Sequence, residues 1–484
     1  MISRASQPRE AFVWIWLPDR TSPVVAGRIR AQDGRYVFGY GRSYLAREDA
    51  IPVYEPELPL RPGPIEPESP LEIANALRDA APDTWGRRVI AHRVAGGQGG
   101  VDEFEDLDEL AFMLRSGSDR AGALDFQASP SVYIPREGQN ETLERLMEAA
   151  ERVERGLPLA PGLAEALSHG TSIGGARPKV LIRDGEVKYI AKLSCSTDTY
   201  NVVKAEFVAM RLAEIAGLKV APVRLVKAMN NDVLLVQRFD RKAAEGGWTR
   251  RAMVSALTLF GLHELMAAHA SYEEFADVVR SRFTAPARTL EELFSRMTFN
   301  ILVGNTDDHA RNHAAFWDGG GLTLTPAYDV CPQSRPGREA SQGMRIHRRA
   351  RRSQLSLCLA AAHKFLLSKE RALAIMRRQI STIGENWEKV CGEAALNDAE
   401  RRLLWRRQFL NELAFEGLKE QLAALIKDLD GGHGPPIEVR QTALATSTGE
   451  AKRPSPGAEP AGGAERRRPL GNTSGTRFRS ELEP

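Results

Sequence analysis

The stretch GNTDDHARNHAAF, residues 304 to 316, places two aspartates, two asparagines and two histidines within nine consecutive positions. Side chains of these types bind metal ions, transfer protons or cap helices, so three interpretations are open: a metal site for hydrolysis, part of a phosphotransfer site, or a polar turn. Asp307 and Asn312 stand five positions apart, which is the D-x-x-x-x-N spacing of a protein-kinase catalytic loop. In that chemistry the aspartate orients the hydroxyl nucleophile and accepts its proton, while the asparagine holds a magnesium ion.

A second carboxylate follows in AAFWDGGGLTLTPAYDV, where we predict Asp329 on a short strand after a hairpin-like turn. Asp329 stands where a second metal-binding carboxylate would lie. Phosphoryl transfer needs such ligands, because magnesium held by hard oxygen atoms neutralises the charge that spreads over the phosphate oxygens. The addition of Asp329 therefore favours a phosphotransfer site over a capping turn, since a capping turn predicts no such carboxylate.

The upstream segments SIGGARPK and VKYIAKL contain the groups that a nucleotide site requires. Gly174 and Gly175 have no Cβ, so their backbone amides can approach phosphate oxygens, and Lys179 ends this glycine segment with a cation. Thirteen residues later, Lys192 lies on a predicted strand, as the lysine of the kinase V-A-I-K motif does. Glu206 lies on an amphipathic helix, at a plausible distance to pair with Lys192.

The elements that must position these residues divide the chain into four predicted parts. Residues 1 to 130 are predicted as a small α+β unit, and residues 131 to 241 as a lobe of strands and helices that carries the glycine segment and Lys192. In LLVQRFD, the backbone groups of Gln237, Arg238 and Phe239 are predicted to form the hinge and to face adenine. Residues 242 to 428 are predicted to be mainly helical. Residues 429 to 484, poor in apolar residues and rich in Pro, Gly and charge, are predicted to be disordered.

The composition narrows the class of protein. A net charge of +3 over 484 residues gives no general case for a nucleic-acid or membrane binder. The cysteines Cys195, Cys331, Cys358 and Cys391 lack the C-x-x-C spacing of zinc and redox sites. No apolar run approaches the ~18 residues that span a bilayer, and the N-terminus has no signal-peptide pattern. We therefore expect a reduced, cytoplasmic protein that does not enter the membrane.

The motifs SIGGARPK, YIAKL, AEFVAMRLAEIAGL, VQRFDR, GNTDDHARNHAAF and PAYDV, in this order, resemble those of the HipA family of serine/threonine kinases, the toxins of HipBA toxin-antitoxin modules. The resemblance covers roughly residues 10 to 425. It implies an α+β, two-lobed kinase-like fold with a small N-terminal subdomain, and the cofactors ATP and Mg2+. It also implies phosphorylation of a serine on a translation component, which is glutamyl-tRNA synthetase in the archetype. The implied partner is a small helix-turn-helix antitoxin, similar to HipB, that binds operator DNA.

Residue roles follow from the resemblance. Asp307 matches the catalytic base, Asn312 and Asp329 match the magnesium ligands, and Ser172 matches the serine that becomes autophosphorylated. The matching nucleotide-binding set is Gly174, Gly175, Ala176, Arg177, Pro178, Lys179, Lys192, Gln237, Arg238, Phe239, His309, Asn312 and Asp329. The chain lacks the HRD, DFG and G-x-G-x-x-G motifs of ordinary protein kinases, which puts ordinary kinase regulation in doubt.

Alternative interpretations remain at this stage. His309 and His313 stand four apart and could coordinate zinc from one helical face, as in a metal-dependent hydrolase. Asp308 could be only a helix cap. The basic stretch RIHRRARRS, residues 345 to 353, is either a solvated loop or a docking surface for an acidic or nucleic-acid-bound substrate. A weakly active or inactive kinase fold could act as an operator corepressor through the antitoxin, and a homodimer is possible.

Overall fold

The computed structural model describes residues 7–432, except residues 95–106, 138–140, 169, 174, 196–197, 336 and 338. Gly174 and most of the predicted disordered tail, residues 433–484, therefore lie outside the described residues. The last described helix ends at Gly432, four residues into the segment that was predicted as tail. The boundaries predicted at residues 130 and 241 stay predictions, because the described residues all fall within one compact unit.

The N-terminal part is a four-stranded antiparallel sheet with short helices packed against it. Its sheet has the order β3-β2-β1-β4. Asp33 and Gly34, with φ of 48° and 77°, form the turn between β2 and β3. The elements are β1 Glu10–Ile15, β2 Val24–Gln32, β3 Arg35–Tyr40, α1 Arg42–Leu45, α2 Asn75–Arg78, α3 Thr84–Val94, α4 Glu109–Arg115 and β4 Leu124–Gln127.

A second four-stranded antiparallel sheet follows, with the order β5-β6-β8-β7. Gly185 lies in the turn between β5 and β6, with a φ of 60°. A long helix, α7, connects β6 to β7, and Gly217 follows it with a φ of 89°, which favours glycine. The elements are α5 Leu143–Glu154, α6 Pro161–Ser168, β5 Lys179–Asp184, β6 Val187–Leu193, α7 Val202–Ile215, β7 Val223–Ala228 and β8 Asn231–Gln237.

The C-terminal part is mainly helical, as predicted, and is built around α10, in which residues 296 to 302 are all buried. Two antiparallel sheets, β9-β10 and β11-β12-β13, interrupt the helices. The strands are β9 Arg241–Ala244, β10 Gly247–Arg250, β11 Met253–Ser255, β12 Ala314–Trp317 and β13 Leu322–Leu324. The helices are α8 Ala256–Leu259, α9 Tyr272–Arg282, α10 Pro286–Leu302, α11 Leu355–Ala361, α12 Lys369–Glu393, α13 Asp398–Leu404 and α14 Ala423–Gly432, with 3-10 turns at Glu264–His269, Ala310–Asn312, Ala362–Phe365 and Glu412–Phe415.

One hydrophobic core runs from the N-terminal sheet through α7 into the helices of the C-terminal part. A smaller core lies between the second sheet and α5. Among the described helices, none is both long and apolar enough to cross a membrane. The arrangement places the second sheet and the helical part side by side, with the predicted catalytic loop emerging where α10 ends.

Candidate active site

The predicted catalytic loop leaves α10 through a turn that only glycine fits. Gly304 has a φ of 73°, and a Cβ on it would lie 2.6 Å from the carbonyl oxygen of Gln408. Asn305 donates its side-chain amide to Asn300 on α10 at 3.1 Å, which ties the loop back to the helix. The loop is therefore held at its start by backbone geometry and a buried amide pair.

Asp307 is exposed at the surface of this loop. Partial desolvation raises the pKa of its carboxyl group, His309 lowers that pKa, and the carboxylates of Asp329 and Asp308 raise it again. A carboxylate with a raised pKa is a better proton acceptor, which suits the role of a general base. The His309 side chain is near enough to act on the pKa values of both Asp307 and Asp329.

Asp308 points the opposite way, into the protein. It is 1% exposed and accepts hydrogen bonds from the hydroxyl of Tyr272, the first residue of α9, and from His313 Nε2 at 2.7 Å. Asp308 is therefore not the helix cap that was considered for it, because its carboxylate accepts hydrogen bonds from a buried tyrosine and a buried histidine. His313 joins the same network through Nε2, and among the described residues no group of three His, Cys, Asp or Glu side chains is placed to complete the zinc site considered with His309.

Asn312 is buried and directed by the catalytic loop itself. Its side-chain nitrogen donates to the backbone oxygen of Asp307 at 3.0 Å. The amide is thereby oriented, and its oxygen Oδ1 is the atom suited to a cation. Asp307 and Asn312, five residues apart, are thus linked directly by a hydrogen bond.

Asp329 lies in a left-handed backbone conformation with a φ of 59°. The strand predicted for it is wrong: β13 ends at Leu324, and Asp329 follows a single parallel bridge between Ala327 and Val220. Non-glycine residues rarely adopt a positive φ, and such conformations cluster at functional sites. The bridge attaches the segment before Asp329 to the connection between α7 and β7.

Lys192, Glu206 and Asp329 form one ionic cluster, in which the Glu206 side chain is 5% exposed and that of Asp329 is 41% exposed. Lys192 Nζ lies 2.5 Å from Glu206 Oε1 and also donates to Asp329 Oδ1. Burial opposes the charge on Lys192, but Asp329 and Glu206 outweigh it and raise the pKa of the ammonium group. Burial likewise opposes ionisation of Asp329, yet Lys192 lowers the pKa of Asp329 to about 2. The pairing expected between Lys192 and Glu206 is present, and it joins the strand lysine to the candidate metal ligand.

The glycine segment lies against the same cleft. Gly175 has a φ of 112°, which disfavours any side chain, and a Cβ there would meet Lys179 Nζ at 2.1 Å. Burial, reinforced by the nearby Lys192 ammonium group, lowers the pKa of Lys179 to about 8. Ser172 is 1% exposed, and its hydroxyl has no hydrogen-bond partner among the described residues.

The remaining predicted residues of this segment are placed differently. Ala176 is exposed and Pro178 is buried. Arg177 forms an ion pair with Asp198 at 2.6 Å, so its guanidinium is already engaged within the protein.

The predicted hinge has two of its backbone donors already in use. The N–H of Gln237 donates to the oxygen of Pro222, and the N–H of Arg238 donates to the oxygen of Lys188, both at 2.9 Å. Phe239 is the remaining member of the predicted set, and its ring packs against those of Phe316 and Tyr328.

The Arg238 side chain points away from the cleft, into a buried ion network with the N-terminal part. It pairs with Asp119 at 3.0 Å and with Asp240 at 2.8 Å, and Arg241 contacts the same two carboxylates. Lys188 also pairs with Asp119, at 2.7 Å. This network fixes the end of β8 to the N-terminal part.

The basic stretch is an ordered turn beside the start of α9. His347 and the backbone N–H of Arg348 both contact Glu273, and Arg345 contacts His269 at 2.7 Å. Arg348 and Arg349 remain exposed. The stretch is therefore partly neutralised, and the docking role considered for it stays a prediction.

The oxygen donors of the site suit magnesium. Among the described residues, no group of three His, Cys, Asp or Glu side chains could hold a metal ion alone. Magnesium is commonly held by one or two carboxylates together with substrate phosphates, and the Asn312 amide and the Asp329 carboxylate fit that pattern. Burial raises the pKa of the nearby Cys331 thiol far above its ordinary value, which disfavours the thiolate form that binds metal ions.

Sequence reasoning missed Asp83, Arg311 and Asp119. Arg311 was visible inside the catalytic loop, but its ion-pair partner Asp83 lies 228 residues earlier, at 3.0 Å. Asp119 likewise meets Arg238 across 119 positions. No spacing or periodicity reports pairs so distant in sequence.

Comparison with known proteins identifies the family of the chain. Residues 171–387 match the family model of the HipA-like C-terminal domain, and residues 15–127 match that of the HipA N-terminal domain. The fold and the site together define a two-lobed, kinase-like α+β protein. The chain belongs to the HipA family.

Two relatives and one solved structure illustrate the likeness. The putative kinase Y4mE of Sinorhizobium fredii is 28% identical over 355 residues, covering 69% of this chain and 80% of that protein. The serine/threonine-protein kinase toxin HipA of Shewanella oneidensis is 26% identical over 183 residues, covering 33% of this chain and 42% of that protein. The structure of the Shewanella oneidensis HipA, HipB and operator DNA complex aligns with a TM-score of 0.60 and 19% identity, over 84% of this chain and 99% of that chain. This last likeness supports the fold.

Proposed function

We propose that the chain is an ATP- and magnesium-dependent serine/threonine kinase and the toxin of a HipBA-type module. The observation that carries the proposal is the ionic cluster in which Lys192 lies 2.5 Å from Glu206 and also contacts Asp329. In protein kinases a strand lysine paired with a helix glutamate, together with a metal-binding aspartate, is the arrangement required for phosphoryl transfer. A capping turn or a zinc hydrolase has no use for this cluster.

Each residue then has a part in the reaction. Lys192 and Lys179 hold the phosphates of ATP, and Asp307 accepts the proton of the attacking serine hydroxyl. Asn312 and Asp329 would hold magnesium, which neutralises charge on the phosphate oxygens. The hydrogen bond from Asn312 to the backbone oxygen of Asp307 fixes the position of the proposed metal ligand relative to the proposed base.

The substrate we propose is a serine of a translation component, with aminoacyl-tRNA synthetases, glutamyl-tRNA synthetase first, as the proteins to test. We also propose that Ser172 is an autophosphorylation site. Because Ser172 is buried, the glycine segment has to leave its pocket before this hydroxyl is phosphorylated. A phosphate there would add about two negative charges beside the ATP site and keep the segment out.

The partner we propose is a small helix-turn-helix antitoxin similar to HipB, through which the chain meets operator DNA. The supporting observation is the likeness in fold to a HipA that was solved with HipB and its operator DNA. Co-purification of the chain with such a protein encoded beside it would support this assignment.

The deciding experiment compares the wild type with the Asp307→Asn variant, using radiolabelled ATP and magnesium in a cell extract. We expect the variant to lose at least ~100-fold in transfer, because it cannot accept the serine proton. Labelling that persists in the variant would overturn the role of Asp307. Intact-mass measurement of both proteins tests Ser172, since a phosphate present equally in both excludes self-phosphorylation.

A further inference from the structure

The first turn of α3 holds the glycine segment by its backbone. The N–H of Gly175 donates to Asp83 Oδ2 at 2.8 Å, and the oxygen of Gly175 accepts from the N–H of Trp85 at 3.1 Å. A little further on, a Cβ on Gly86 would lie 1.8 Å from the oxygen of Thr171, so helix and segment are in direct backbone contact. The N-terminal part therefore sets the position of the proposed phosphate-binding segment.

The other oxygen of the Asp83 carboxylate reaches the catalytic loop. Asp83 Oδ1 accepts from Arg311 at 3.0 Å, and Arg311 lies between the proposed base Asp307 and the proposed ligand Asn312. The backbone oxygen of Arg311 in turn accepts from the hydroxyl of Tyr328, the neighbour of Asp329. The Asp83 carboxylate thus connects the start of α3, the glycine segment and the predicted catalytic loop, which are far apart in sequence.

The environment of this link favours the charged forms. Side-chain exposure is 21% for Asp83 and 25% for Arg311, so solvent screens the pair only in part. Burial opposes ionisation of Asp83, but Arg311, the Gly175 N–H and Lys179 outweigh it and lower the pKa of Asp83. Burial also opposes the charge on Arg311, but Asp83 and Glu264 outweigh it and raise the pKa of the guanidinium group.

We propose that Asp83 is a positioning residue for phosphoryl transfer, which ties the glycine segment to the catalytic loop and so sets the nucleotide opposite Asp307. The inference rests on the proposed kinase function. It assigns to the N-terminal part a role inside the site, although none of its residues was expected to act there.

The carboxylate of Asp83 is separable from the start of α3. The backbone oxygen of Asp83, which every residue type has, accepts the N–H of Arg87 at 2.8 Å. Trp85 is buried and donates its indole N–H to the oxygen of Lys179 at 3.0 Å. Replacement of Asp83 by Asn therefore keeps the helix and its docking, and removes the nearer of the two carboxylates that pair with Arg311, the other being Glu264 at 3.5 Å.

The test uses Asp83→Asn, Arg311→Gln and the double variant in the full-length chain. The matched controls are Asp184→Asn and Arg224→Gln, which break an exposed ion pair of 2.9 Å between β5 and β7. Hydrogen exchange is measured for peptides covering residues 170 to 180 and 305 to 314, and the KM for ATP is measured by phosphate transfer.

We expect both single variants to exchange faster in both peptides and to raise the KM for ATP about tenfold, while the controls match the wild type. The double variant should resemble either single variant, because both changes break the same link. A smaller folded fraction would lower kcat alone and would leave the KM unchanged.

The proposal is overturned if Asp83→Asn leaves exchange at residues 305 to 314 unchanged, or if the two KM effects multiply to about a hundredfold. A wild type that transfers no phosphate would overturn the kinase function instead. In that case the exchange measurements still decide whether Asp83 ties the two segments together.

Discussion

At the scale of single residues, the phosphate contact proposed for Lys179 would depend on pH. Its pKa is lowered to about 8 by burial and by Lys192, so the ammonium group loses its proton as the pH rises through that value. A neutral lysine no longer attracts phosphate. We predict that the affinity for ATP falls about fivefold to tenfold between pH 7.5 and pH 9, following the protonated fraction of a group with this pKa.

Isothermal titration at the two pH values measures this effect, and buffers of different ionisation enthalpy count the protons taken up on binding. A Lys179→Arg variant is the control, since arginine stays charged throughout this range. Equal affinity of the wild type at both pH values would contradict the prediction.

The adjacent residues Asp307 and Asp308 can be distinguished by stability. Asp308 is buried against Tyr272 and His313, whereas Asp307 is exposed. We predict that Asp308→Asn lowers the free energy of unfolding by about 2 to 4 kcal/mol, because a buried, hydrogen-bonded charge is lost. Asp307→Asn should lose activity, and its free energy of unfolding should change by less than ~0.5 kcal/mol. Urea unfolding of both variants tests this, and equal destabilisation would contradict it.

At the scale of elements, the packing of α3 on the glycine segment leaves no room for a side chain at Gly86. A Cβ there would lie 1.8 Å from the backbone oxygen of Thr171, which cannot rotate away as a flexible side chain would. We predict that Gly86→Ala lowers the free energy of unfolding by about 1 to 3 kcal/mol and displaces the segment.

Thermal unfolding and the KM for ATP measure the two effects. Gly162→Ala is the control, because a Cβ at Gly162 meets no other atom within 4 Å. A Gly86→Ala protein with unchanged stability and unchanged KM would contradict the prediction, because α3 and the glycine segment could then separate at no cost.

The elements also show what the sequence predicts well. The strand of Lys192, the helix of Glu206 and the loop from Asp307 to Asn312 are local patterns, and the structure contains all three. The predicted strand at Asp329 was wrong because the alternation in that segment ends at β13, and the following backbone is shaped by a bridge to Val220. Local patterns carry no information about such distant contacts.

At the scale of the whole molecule, a buried charge network joins the N-terminal part to the end of β8. Asp119 pairs with Lys188, Arg238 and Arg241. We predict that Asp119→Asn lowers the free energy of unfolding by about 3 to 5 kcal/mol at pH 7, because its partners are left buried and unpaired.

The network also predicts a pH dependence. Burial opposes ionisation of Asp119, but its basic neighbours outweigh it and hold the pKa well below the ordinary value, so the stabilisation is complete above about pH 4 and is lost as the pH falls. The difference in the free energy of unfolding between the wild type and Asp119→Asn should therefore be about 1 kcal/mol smaller at pH 3 than at pH 7. Urea unfolding at both pH values checks this, with Asp184→Asn as the control. A difference that grows at pH 3 would contradict the assignment.

The same network has a consequence for synthesis on the ribosome. The partners of Asp119 lie 69, 119 and 122 positions later in the chain. At an elongation rate of roughly 5 to 20 residues per second, the last of them is made about 6 to 24 seconds after Asp119. The N-terminal part thus cannot complete these contacts until residue 241 has been made. A chain that ends between residues 119 and 188 lacks all three basic partners of Asp119, and we expect cellular proteases to remove it.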